Sequence, residues 1–233
     1  MSVLPQASLF LGIIPALFIM YICLKGYDEH YKEKNIFLTF IAGIIMGFIA
    51  AFVQYAFYSF VFLSIIFLAA FDQLFKTIVL NINRLQQKKE TPIYGLTLGL
   101  GFGSSFTPFM LIAASASEFI SNETIVMAII GLGSIGLILF HGATGIYIGY
   151  GIYDKTLTRN LIIAIVLQIP ISLLVGFMLN YSNIESITYQ ASFSIAAILY
   201  GLIIFYYIYK KVLPNILKKG KTKNNLKEVL KDE

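Results

Sequence analysis

Long apolar runs separated by short polar turns dominate this chain. Runs long enough to cross a hydrocarbon core roughly 30 Å thick occur at about 8–24, 36–57, 60–83, 93–117, 124–150, 160–179 and 189–209. The pattern predicts an all-α polytopic membrane protein: one domain of seven transmembrane helices over residues 1–210, then a basic tail over 211–233. The second and third runs are nearly continuous, with a turn placed around Tyr55 to Ser59, and the fourth bends at GFGSSF. The N-terminal stretch MSVLPQASLFLGII lacks a basic n-region and a small-residue cleavage site, so it reads as a first membrane helix rather than a removed signal peptide.

Composition agrees with the pattern. The chain is 58% hydrophobic and 12% charged, with a mean hydropathy of +0.80, far from the balance of a soluble domain. Its net charge of +5 does not point to nucleic acid, because the lysines cluster beside apolar runs, where they report topology. Lys25, Lys32 and Lys34 fall in the first loop, Arg84, Lys88 and Lys89 in the third, Lys155 and Arg159 in the fifth, and eight lysines follow from Lys210. Sixteen of seventeen basic residues therefore belong to one side, which predicts a multi-pass protein of the cell membrane with its N-terminus outside and its C-terminus cytoplasmic. Two acceptor sequons, Asn122-Glu123-Thr124 and Asn180-Tyr181-Ser182, fall in loops assigned to the outside. The tail ILKKGKTKNNLKEVLKDE is expected on anionic headgroups. Cys23 is the one cysteine, so no intrachain disulfide forms.

The exception to the charge pattern is Lys76, which shares the stretch FDQLFKTIVLNI with Asp72 and Gln73. Asp72 lies 12 residues before Arg84, and His141 lies 13 before Asp154. At about 1.5 Å per residue both sit roughly 18–20 Å from the cytoplasmic boundary. Gln168 on the sixth run and the GFGSSF turn reach a similar depth. Ionisable groups at such depth cost about 2.5–3.5 kcal/mol each, so the layer is expected to face a cavity or the bundle interior. The i, i+4 spacing of Asp72 and Lys76 allows them to neutralise each other along one helix face. His141 on its own fits a helix-packing hydrogen bond, and Ser104, Ser105, Gln168 and Ser172 fit interhelical hydrogen bonding. Gly95, Gly99 and Gly103 form a small-xxx-small ridge for close helix contact.

Other chemistries find little to work with. GxxxxGK[ST] and HExxH are both lacking, and His30 lies in the charged first loop, far from the depth of His141. No cofactor is expected, and the one metal reading left open puts an ion at His141. A Ser105, His141, Asp72 triad has the right residue types, but nothing marks the serine as activated.

FDQLFK, then YGLTLGLGFGSSF, FHGATGIYIGYG and LQIPIS together resemble the PrsW-type intramembrane protease family, related to the CAAX-processing and bacteriocin-immunity group. The resemblance covers about 70–178. In that family the first motif is Glu-Glu-x-x-Lys, the second ends in Glu-Asn, the third supplies a histidine, and the fourth supplies a histidine with an asparagine four residues later. The resemblance implies that those groups activate a water for peptide-bond cleavage within the membrane. Carried over, the glutamate pair falls on Asp72 and Gln73, the lysine on Lys76, the Glu-Asn on Phe106 and Thr107, the first histidine on His141, and the last pair on Gln168 and Ser172. Lys76 and His141 alone are kept. The degenerate catalytic positions are thus Asp72, Gln73, Lys76, His141 and Gln168, with Phe106 and Ser172 assigned to substrate binding. A general base needs a titratable acceptor, which Gln73, Phe106 and Gln168 lack.

The resulting expectation is an inactive or impaired homologue that binds transmembrane segments of other membrane proteins or regulates partners within the lipid bilayer. The alternatives are an active protease using Asp72 and His141, and a small transporter or channel with an Asp72, Lys76 and His141 relay.

Overall fold

The computed structural model describes residues 4–56, 63–115, 123–180 and 187–214. The turn expected at Tyr55 to Ser59 and both sequons run out of these residues, and the lysine-rich tail ILKKGKTKNNLKEVLKDE lies outside them. The described residues form helices and no strand: α1 (Leu4–Leu24), α2 (Glu33–Ala56), α3 (Leu63–Leu80), α4 (Thr91–Ser104), α5 (Phe106–Ser115), α6 (Glu123–Tyr153), α7 (Leu157–Asn180) and α8 (Ile187–Lys211), with a 3-10 turn at Asp28–His30. Stretches long and apolar enough to cross a membrane occur in α2 (Glu33–Gln54), α6 (Met127–Tyr153), α7 (Leu157–Phe177) and α8 (Thr188–Lys211). The protein is therefore a helical membrane protein, and its outer helices present Phe37, Ile45, Phe52, Ile162, Val166, Leu199 and Ile203 outward.

The helix ends follow from local chemistry. Gly26, with φ +91°, supplies the left-handed residue that stops α1. Between α3 and α4, Thr91 donates to the Leu85 carbonyl and accepts from the Lys88 amide at 3.1 Å, which winds the connection before Pro92 opens α4 in its first turn. After α6, Lys155 takes φ +60° and the Thr156 amide returns to the Gly151 carbonyl at 2.8 Å.

Helix α4 is the axis of the bundle, buried along its whole length. Its glycines make this geometrically feasible. A Cβ at Gly95 would fall on the Gly145 carbonyl, one at Gly99 on the His141 carbonyl, and one at Gly103 would lie 2.7 Å from the Ile138 Cα. The falling numbers on α6 show that α4 and α6 run antiparallel, backbone against backbone. On the other side Gly101 meets the Phe40 carbonyl, and Gly43 and Gly47 of α2 meet the carbonyls of Leu98 and Phe102. The expected ridge at 95, 99 and 103 does pack helices, and α2 answers it with glycines of its own.

One expected element differs. The run at 93–117 is two helices, α4 and α5, which break at Ser105. Pro108 has no N–H to give the Ser104 carbonyl, and its ring crowds that carbonyl, so the helix restarts with Pro108 in its first turn. Gly12 of α1 lies against the released carbonyl, where a Cβ would collide with it.

Short contacts gather the basic loops at one end. The Lys32 amide donates to the Tyr94 hydroxyl near the start of α4 at 3.1 Å, the Thr91 carbonyl lies against Gly149 near the end of α6, and the Tyr209 hydroxyl of α8 donates to the Cys23 carbonyl at 2.9 Å. Exposed Lys25, Lys32, Lys34, Arg84, Lys88, Lys155 and Arg159 all belong to this end.

Candidate functional site

Helices α3, α6 and α7 carry the polar side chains of the middle layer, and the close α4–α6 crossing brings His141 beside the glycine ridge. Asp72, Gln73 and Lys76 are fully buried, and His141 and Gln168 nearly so, at 1% and 2% exposure. The five positions that the resemblance assigns to catalysis lie together.

Their connections are specific. Lys76 Nζ donates to Gln73 Oε1 at 3.2 Å and to Thr144 Oγ1 at 2.8 Å, and pairs with His141 Nδ1 at 2.8 Å. An ammonium has three donors, so all are used. Gln73 Nε2 donates to Gln168 Oε1, and Gln168 Nε2 donates to Asp72 Oδ2 at 2.8 Å. Every bond from the lysine to the carboxylate therefore points the same way, with two amide dipoles in series between a cation and an anion. A further donor, Gln54 Nε2 of α2, reaches the same Asp72 oxygen at 3.1 Å.

This corrects one expectation. Asp72 and Lys76 do not neutralise each other by direct contact along α3; the charges are joined through Gln73 and Gln168, and the second amide comes from α7. A lysine at i+4 can reach an aspartate, but here Lys76 Nζ turns toward α6, where His141 and Thr144 are its hydrogen-bond partners in the buried interior.

His141 is enclosed by aromatic rings. Phe106 stacks on it at 5.4 Å with an interplanar angle of 7°, Phe102 lies tilted at 4.9 Å, and Phe140 meets it edge-on at 5.6 Å. The Phe102 ring also holds Lys76 Nζ at 5.0 Å from its centroid. Phe106, assigned to substrate binding, is thus a buried wall of the site at 3% exposure. Ser172, the other such residue, stands one turn beyond Gln168, and its buried hydroxyl oxygen makes no hydrogen bond with the described residues. Thr107, beside Phe106, faces Gly12 of α1 and stays out of the layer. Ser105 donates to the Ile44 and Gly101 carbonyls, so its hydroxyl stabilises the α4–α5 break and no triad with His141 forms.

Two members escaped the sequence reading. Thr144 lies three residues after His141, on the same helix face, and that spacing was the available signal. Gln54 sits at the end of a run whose neighbourhood gave no polar partner, and only the tertiary approach of α2 to α3 brings it to Asp72.

The chemistry open to this arrangement is narrow. With Lys76 as ammonium, Nδ1 of His141 is the acceptor and the ring proton sits on Nε2, leaving no free imidazole lone pair. A metal ion at Nδ1 would meet the ammonium at 2.8 Å, and among the described residues no three His, Cys, Asp or Glu side chains gather around one point. Four hydrogen bonds, from Asp72 to Gln168, Gln73, Lys76 and His141, separate the carboxylate from the imidazole. The orphan in the layer is Asp72 Oδ1, which has no hydrogen-bond partner among the described residues.

Comparison with family models, with curated proteins and with solved structures gives no significant match to this chain.

Proposed function

We propose that this protein is a seven-span membrane protein of PrsW-like helix arrangement that does not cut peptide bonds and acts by holding transmembrane segments of partner proteins. Its N-terminus lies outside and its C-terminus in the cytoplasm. The observation that carries the reading is the closure of the layer: Lys76 Nζ is engaged by Gln73, Thr144 and His141 Nδ1, and Phe106 covers the imidazole ring at 5.4 Å. A hydrolytic centre needs a water beside a free base, and here Nδ1 of the imidazole is engaged by Lys76 Nζ at 2.8 Å. Support for the topology comes from the grouping of the basic loops at one end of the bundle.

The test is co-reconstitution of purified protein with single-pass substrates in liposomes, read by energy transfer for association and by mass spectrometry for fragments. Association without fragments is expected. Fragments that vanish in His141→Ala would overturn the reading, and so would a lack of association with every segment tried.

One observation favours a second reading. Asp72 Oδ1 keeps an uncommitted lone pair in the buried layer, as a residual base would. Fragments lost in Asp72→Asn in the same liposomes would establish an altered protease. A proton relay from Lys76 to Asp72 gains no such support, because the two groups between them are carboxamides, which do not pass protons as water or imidazole does.

A further inference from the structure

Helix α7 carries a proline where it meets the buried layer, and its two sides are held differently. Pro170 lies between Gln168 and Ser172 and gives no N–H to the Val166 carbonyl, so a backbone hydrogen bond is missing at that turn. Before it, side-chain hydrogen bonds fix the helix to its neighbours. The Asn160 side-chain amide donates to the Tyr147 carbonyl of α6 at 2.9 Å, the Tyr200 hydroxyl of α8 donates to the Leu167 carbonyl at 2.7 Å, and Gln168 bonds to Asp72 and Gln73 of α3. Beyond it the contacts are apolar. Ile171 and Val175 join the cluster of Phe75, Phe106 and Phe140, and Phe177 stacks on Phe193 of α8 at 5.4 Å.

Tyr200 stands at the pivot. Backbone carbonyls loosened by a proline in a membrane helix are satisfied by neighbouring helices, and Tyr200 does this at Leu167, one residue past the carbonyl that Pro170 deprives. Its ring also stacks on Phe140 at 5.9 Å with an interplanar angle of 28°, and Phe140 meets His141 edge-on. The proline turn is therefore tied to the wall of the His141 enclosure. What the last turns of α7 cover is unsatisfied: Asp72 Oδ1 and Ser172 Oγ are both buried and lack hydrogen-bond partners among the described residues, within one turn of the Gln168–Asp72 bond. A buried carboxylate oxygen in this state needs a donor, and in hydrocarbon a helix with an amide or hydroxyl side chain needs an acceptor.

We propose that residues 171–180 form a gate that pivots at Pro170, and that the opened gate admits a partner transmembrane segment whose central amide or hydroxyl side chain donates to Asp72 Oδ1. Tyr200 is the brace that holds the gate shut. Residues 171–180 span about 15 Å at 1.5 Å per residue, roughly half of a hydrocarbon core, so the pivot stands near mid-membrane, at the level of the layer. The inference rests on the reading that the protein holds transmembrane segments, and it adds which segments and by which entrance.

The experiment uses full-length protein in liposomes with fluorescent single-pass leucine segments, with or without one central asparagine, and reads association by energy transfer. The asparagine segment is expected to bind about tenfold more tightly than the all-leucine one. Tyr200→Phe keeps the ring but removes the bracing hydrogen bond and is expected to speed association about fivefold. Pro170→Ala returns the missing N–H and is expected to slow it. A second readout needs no partner: in a Cys23→Ser background, Ser172→Cys is expected to react with a membrane-soluble maleimide faster with Tyr200→Phe and slower with Pro170→Ala. Equal binding of the two segments, or rates and labelling that ignore both variants, would overturn the inference and leave the holding of segments intact. Association of neither segment would sink the holding role, and this entrance with it.

Discussion

Lys76 is the residue on which the buried layer depends. Lys76→Met removes the donor to Gln73, His141 and Thr144 together and leaves the Asp72 carboxylate without its counter-charge. Breaking one side of a buried charge pair costs about 3–5 kcal/mol, so a drop in thermal stability in lipid nanodiscs of that size is expected. Adding Asp72→Asn to Lys76→Met removes the stranded charge and is expected to restore at least half of the loss; strictly additive losses would mean that the charges are not coupled through Gln73 and Gln168. Phe106→Ala is expected to cost about 3 kcal/mol in the same assay, since it strips a buried ring from the face of His141. If Phe106→Ala instead melts like the parent, the ring is not part of the packed core and the layer is open to entry. At this scale the sequence was informative because membrane interiors make polar residues rare. Asp72, Gln73, Lys76, His141 and Gln168 stood out against an apolar background and do converge. What could not be read was the wiring: spacing along α3 suggests a direct Asp72–Lys76 pair, whereas the choice of an indirect path depends on α7 supplying Gln168 and α6 supplying Thr144.

Among the elements, α4 shows most clearly how small residues shape the bundle. Gly95, Gly99 and Gly103 lie on one face and allow α4 to touch the α6 backbone, which sets where the His141 side chain can point. Gly99→Leu places a side chain on the His141 carbonyl and is expected to push α4 from α6, lowering folded yield in detergent and exposing His141 to alkylation. Gly176→Ala is the matched control: its helix has open space at that Cβ, so stability is expected to hold or rise, by up to about 1 kcal/mol from helix propensity. Equal damage from both changes would show that glycine matters here through something other than helix approach. The ridge was legible because the spacing of four recurs, and its partner was not, since Gly145 and the His141 backbone belong to a helix more than forty residues away. The break at Ser105 falls within GFGSSF, where a bend is expected, but its division of the run into two helices is not legible from hydropathy. Apolar length alone joins 93–117 into one span, and the signal that divides it is a single proline, Pro108, whose consequence is local backbone chemistry rather than hydropathy.

For the molecule as a whole, charge and packing lead to the same end of the bundle by independent routes. Loop lysines and arginines are counted without regard to structure, while the Lys32–Tyr94, Thr91–Gly149 and Tyr209–Cys23 contacts are set by helix packing without regard to charge. Had the helices packed in another order, basic loops would have appeared at both ends of the bundle. The agreement leads to a direct test of orientation that makes use of the chain's single cysteine, buried at 6% exposure. In a Cys23→Ser background, Lys155→Cys places a thiol on the exposed turn after α6. An impermeant maleimide added to intact cells is expected to leave it unmodified and to label it fully once the membrane is opened. Labelling in intact cells would put the basic end outside, against the charge rule. Because the close α4–α6 packing fixes the relative direction of those helices, that one outcome would invert the whole bundle rather than a single span.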